Sequence, residues 1–79
     1  MTCAVASAET AKTNVYENLK AVTLPTFSGE AQILSGHAEA FMILEKGTVV
    51  LENSDGKKDV IQIDGGSCYI KNDEIAIIL

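Results

Sequence analysis

The 79 residues include no Trp, no Arg, one Pro, one His and two Cys. With six Lys as the only cations against eleven Asp and Glu, the net charge is −5. A nucleic-acid binder needs a positive footprint to displace counterions from phosphates. The adjacent Lys57 and Lys58 alone do not make one, and the negative charge also disfavours adhesion to anionic lipid. The longest apolar runs, Ala40–Leu44 and Ile75–Leu79, are five residues each, whereas a helix that spans a bilayer needs about 20. Met1–Ser7 lacks the basic and apolar regions of a secretory signal, so a soluble cytoplasmic chain is expected.

A single His excludes a His-rich metal centre. Cys3 and Cys68 fit neither a zinc knuckle nor a redox pair by spacing. They read as two small buried hydrophobes in a reducing compartment, with a disulfide between neighbouring strands left open. Cys3, Cys68 and His37 would make three zinc ligands only if the fold gathered them, and a Cys–His nucleophile pair has no orienting group or oxyanion signature beside it. No Gly-Lys-Ser/Thr phosphate loop and no strand–GxGxxG–helix unit occurs. Glu30, Glu39, Glu45 and Glu52 lie in surface-like contexts. No metal, cofactor or catalytic residue is therefore expected.

What is present is aliphatic. Hydrophobic residues make up 47% of the chain and aromatics only 5%, which rules out disorder and leaves Val, Ile, Leu and Ala to build the core. So short a chain has room for one core and one domain, spanning residues 1–79. An apolar patch left uncovered by such a core would suit a protein partner.

Glycine punctuates the chain at Gly29, Gly36, Gly47, Gly56 and Gly65–Gly66, with short Val-, Ile- and Leu-rich stretches between. That pattern predicts an all-β sandwich or barrel. Asp55-Gly56 between Thr48–Asn53 and Lys58–Ile63 predicts a hairpin, because Gly reaches positive φ without a Cβ clash. Strands are expected again at Ser67–Lys71 and Glu74–Leu79, separated by the Gly pair and by a turn at Asn72-Asp73. The last run carries apolar residues on both faces, as a strand covered on both sides would. In the first third, Ala8, Ala11, Val15, Tyr16 and Leu19 follow helical spacing behind Ser7 as an N-cap, which predicts a helix from about 8 to 20. The competing reading is a strand near Thr2–Ala6, a loop, and a strand from Val15 to Leu24. Leu24–Ala38 reads as a long loop with a short strand Ala31–Leu34 and a tight turn at His37, or as a binding loop on a rigid scaffold.

Val22-Thr-Leu-Pro25, Ser28-Gly-Glu30, Ile33-Leu-Ser-Gly-His-Ala38, Lys46-Gly47 and Asp64-Gly-Gly66 together resemble the N-terminal domain of the ε subunit of F-type ATP synthases, called δ in mitochondria. Ser7-Ala-Glu9 and Ile75–Leu79 fit the same domain. The resemblance implies a flattened sandwich of about ten short strands and replaces the helix at 8–20 with strand, loop and strand. It implies a non-catalytic rotor subunit of the central stalk, at the cytoplasmic face of the inner or plasma membrane, that joins the γ subunit to the membrane rotor ring. Glu30, Gln32, Ser35 and His37 are the implied ring-facing residues, with turn architecture placed ahead of ring contact as the role of His37. The family usually has Pro where Ser35 and Glu39 stand and commonly Gly at Gln32, and two extra residues fall before Val15-Tyr16. These 79 residues stop at the last strand and are expected to lack the helical hairpin usual in the family, with its hydrolysis brake and nucleotide site, whether or not the natural protein continues into one. These departures motivate an alternative, a stand-alone adaptor or diverged paralogue outside the synthase. An enzyme using His37 with a carboxylate is a third reading without a substrate to name.

Overall fold

A computed structural model describes all residues, Met1–Leu79. It contains seven strands and no helix: β1 Thr2–Ser7, β2 Lys12–Tyr16, β3 Leu19–Thr26, β4 Gly29–Leu34, β5 Ala40–Asn53, β6 Lys58–Lys71 and β7 Glu74–Ile78. They form one hydrogen-bonded sheet in the order β2-β1-β7-β6-β5-β3-β4. All neighbours are antiparallel except β1 and β7, where Cys3 pairs with Ile75 and Val5 with Ile77.

The sheet is folded into two layers by β5 and β6, each 14 residues long. Their register holds from Ala40↔Ile70 to Glu52↔Lys58, yet the inward-facing phase changes midway. Leu44, Cys68 and Ile70 are buried in one half, and Val49, Leu51 and Ile63 in the other, so even-numbered residues face the core on one side of the bend and odd-numbered residues on the other. The change falls at Gly65 and Gly66, whose φ values of 125° and 148° no side-chain-bearing residue adopts readily. The first layer comprises β2, β1, β7 and the adjoining halves of β6 and β5. The second comprises the remaining halves with β3 and β4. Fourteen buried side chains from both layers make one contiguous core, burying aliphatic surface worth about 25 cal/mol per Å².

Several expectations change here. The Gly pair does not separate two strands but bends one, and Gly47 likewise lies inside β5; fusions of this kind reduce about ten short strands to seven. The helix at 8–20 is replaced by β2 between two turns, with Ala11 at φ 55° and Asn18 at φ 56°. The long loop from Leu24 is instead a tight hairpin, since β3 runs to Thr26 and reverses over Phe27-Ser28 into β4. Pro25 is tolerated inside β3 because the pairing to β5 is irregular between Thr23 and Thr26, where the missing N–H costs no ladder bond. The 52–58 hairpin forms as predicted, and the Asn53 side-chain oxygen accepts from the N–H groups of Asp55 and Lys57, at 3.0 Å each.

β7 lies between β1 and β6, and Cys3 stands opposite Ile75 whereas Cys68 stands opposite Ile77, so the two cysteines are separated by two strand spacings and a two-residue offset, about 11–12 Å. A disulfide needs α-carbons near 5.5–6 Å. Both thiols are free and buried, and burial raises Cys3 to about 12 and Cys68 to about 11.

Candidate partner-binding surfaces

The outer faces of the two layers differ in chemistry. On the first layer, pairing aligns Val15, Ala4, Ala76, Tyr69 and Phe41 in one row across β2, β1, β7, β6 and β5. The next row is Thr13, Ala6, Ile78, Ser67 and Ile43. Phe41 is 63% exposed, Ile43 61%, Val15 59% and Ile78 53%. The Ala side chains hollow the middle of the face into a shallow groove whose lining includes Ala4, Tyr69 and Ala76, with Lys71 and Glu74 at its polar end. Ile78 shows that β7 is covered on one side only, not on both as its composition suggested.

On the second layer the matching surface is mixed, with Leu34 and Val60 exposed among polar neighbours. Gln32, Thr23, Val50 and Val60 form one cross-strand row. The Thr48 hydroxyl donates to Gln62 Oε1 at 3.1 Å, and Lys20 Nζ lies 3.5 Å from Glu52.

The residues expected to face the ring are spread along β4 and the loop after it. Glu30 and Gln32 lie on the exposed face of this edge strand together with Leu34. Glu30 stands near the hairpin tip, where Thr26 Oγ1 donates to the Gly29 carbonyl at 2.7 Å. Ser35 and His37 lie at the other end, about 13 Å or more along the strand. The fold thus places two pairs, not one cluster. Phe27 at the tip is 88% exposed and was not singled out in the sequence; an aromatic in a two-residue turn, with no room to turn inward, was the available signal.

The loop 35–39 rests against the β6–β7 turn. Asp73 Oδ1 accepts from the Gly36 N–H at 2.7 Å, and Oδ2 from the Ser35 hydroxyl at 3.1 Å. The Gly36 bond, then the Ser35 bond, hold the Asp73 carboxyl below the usual carboxylate range. His37 acts as a turn residue: its N–H donates to the Leu34 carbonyl at 3.2 Å. Its Nδ1–H donates to the Ala38 carbonyl at 2.7 Å, because a carbonyl can only accept. The Tyr69 hydroxyl donates to the Glu39 carboxylate, which raises the Tyr69 hydroxyl above its ordinary range.

The family described as ATP synthase, Delta/Epsilon chain, beta-sandwich domain matches residues 1–79. The ATP synthase epsilon chain of Campylobacter fetus subsp. fetus is 43% identical over 60 residues, covering 76% of this chain and 45% of the relative. That of Sulfurovum sp. is 38% identical over 58 residues, 73% of this chain and 44% of the relative. The chain therefore spans about half the length of the curated relatives it matches. Among solved structures, a chain of the Euglena gracilis mitochondrial ATP synthase (OSCP/F1/c-ring) superposes with a TM-score of 0.85 at 24% identity, covering 96% of this chain and 48% of that one. One from the central stalk/c-ring of the Tetrahymena thermophila enzyme gives 0.73 at 13% identity, covering 100% and 63%. These two likenesses concern the fold. With its glycine-bent strands, its two-layer core and the match along its whole length, the chain belongs to the family of ATP synthase delta/epsilon β-sandwich domains.

Proposed function

We propose that this chain is a non-catalytic rotor subunit of the central stalk of an F-type ATP synthase, coupling the γ subunit to the membrane ring so that rotation is transmitted between them. It works at the cytoplasmic face of the inner or plasma membrane as a peripheral part of the complex. The observation that carries the reading is the apolar outer face of the first layer. Phe41, Ile43, Val15 and Ile78 are exposed on a rigid sheet, while the other layer turns mixed and polar residues to water. An aromatic–aliphatic centre with a polar rim is the make-up of a stable protein interface, and we assign this face to γ. The Glu30–Gln32 face of β4 and the Ser35–His37 loop are assigned to the polar loops of the ring.

The test is binding of the full chain to the cognate γ subunit, read by native mass spectrometry. Phe41→Asp or Ile43→Asp is expected to abolish a micromolar complex, whereas Val60→Asp on the opposite layer leaves it intact. If wild type does not bind γ, or if all three variants bind equally, the rotor reading fails and the stand-alone adaptor takes its place.

A further inference from the structure

The loop that carries Ser35 and His37 is fastened in an unusual way. Of the backbone hydrogen bonds outside the strand ladders, the only one made by residues 35–39 is His37 N–H to Leu34 O, which stays within the turn itself. What ties the loop to the sandwich is side chains: Asp73 to Ser35 and Gly36, and Tyr69 to Glu39. Asp73 stands on a firm base. Its carbonyl accepts from the Thr2 N–H at 3.0 Å, linking the turn to β1. Asn72 and Asp73 have φ values of 53° and 60°, the paired left-handed geometry of a tight hairpin turn.

The geometry points to Asp73 as the positioning residue of this loop: its carboxylate, using one oxygen for each of two adjacent residues, holds Ser35 and His37 as a preformed contact for the rotor ring. This rests on the ring-facing reading above. Preorganisation of this kind removes the ordering cost of a flexible loop on binding. Charged bonds of this type are also the stronger class, which suits a device working in water. The His37 Nδ1–H is already engaged by Ala38, so the ring nitrogen left for a partner is Nε2. The charged groups around Asp73 are Lys71 on β6, Glu74 on β7, Glu39 across the cleft, and the amino terminus from the β1 side, with the His37 imidazole also facing it.

Two measurements on the full chain test this. In amide exchange at pH 7, Asp73→Gly, which keeps the positive φ of the turn but removes both acceptor oxygens, is expected to speed exchange at Gly36 by about tenfold or more, with Leu51 and Ile77 amides unchanged. Unaltered exchange at Gly36 overturns the proposal. Binding to detergent-solubilised cognate ring with γ attached supplies the second arm. Asp73→Gly and His37→Ala should each weaken it several-fold, and the double variant no further than His37→Ala alone, because both act through one contact. If His37→Ala weakens binding and Asp73→Gly does not, the positioning role falls while the ring-facing reading stands. If neither weakens it, the ring-facing reading falls and takes the positioning role with it.

Discussion

Pro25 in β3 packs against the bare α-carbon of Gly47 in β5: a β-carbon placed on Gly47 would come within 2.9 Å of Pro25 Cβ and 3.3 Å of its Cγ. The irregular pairing between Thr23 and Thr26 lets Pro25 occupy an interior strand, and the glycine opposite gives the ring room. The two residues are one structural unit drawn from distant parts of the chain.

Gly47→Ala is therefore expected to destabilise by about 1–3 kcal/mol through overpacking. Pro25→Ala should not relieve the cost, since its Cβ remains, whereas a Pro25→Gly background should reduce it. Urea melts of the single and double variants give the coupling energy, and a coupling of zero would remove the packing argument.

The two glycines of β6 are expected to differ. A β-carbon on Gly66 would run into the Ile78 carbonyl oxygen, while one on Gly65 would meet the Leu44 carbonyl oxygen at 3.3 Å. Both carry positive φ, worth about 1–3 kcal/mol of strain for other residues. Gly65→Val should lower stability by about that amount and Gly66→Val by more, weakening the β6–β7 ladder. Equal denaturation midpoints for the two variants would contradict this.

The buried thiols predict an alkaline limb in stability. Cys3 and Cys68 are raised from an ordinary 9.0 to about 12 and about 11, chiefly by burial. Between pH 9 and 11–12 the unfolded chain has released these protons and the folded chain has kept them, so stability falls as pH rises. Below pH 9 both states are protonated and this contribution is flat. The Cys3→Ala/Cys68→Ala pair should start lower, because of the cavities, but lose less between pH 9 and 11. Parallel slopes for variant and wild type would contradict the assignment, and thiol titration in denaturant should count two free groups.

The outer apolar rows predict dye binding by a fully folded protein. Anilinonaphthalene sulfonate fluorescence should rise with the wild-type chain and drop after Phe41→Ser or Ile43→Ser, with thermal midpoints little changed, because both residues face outward. A signal that survives both substitutions would place the apolar site elsewhere.

The sequence made local features legible. Asp55-Gly56 marks its hairpin because only a positive φ turns the chain there. The helix at 8–20 was misleading because β2 is an edge strand whose Lys12–Val15 are all exposed, so no inward–outward alternation competed with an accidental helical spacing. Gly65–Gly66 looked like a strand boundary because composition does not distinguish a bend inside a strand from its end. Ser35 and His37 were marked through the family resemblance, and Asp73, 37 residues beyond Gly36, could be linked to them only through the fold. The apolar face was hidden for the same reason, since its first row takes one residue from each of five strands.

The pairing of β1 with β7 has a consequence for synthesis. β7 separates β1 from β6, so the β1–β2 hairpin has no neighbour to dock against until the last strand of the sheet has been made. Long-range pairing of this kind gives a high contact order, for which millisecond-to-second folding is usual. A nascent chain on the ribosome would thus hold an early hairpin and the β3–β6 block apart, and the first layer would close only when residues 74–78 slot between them.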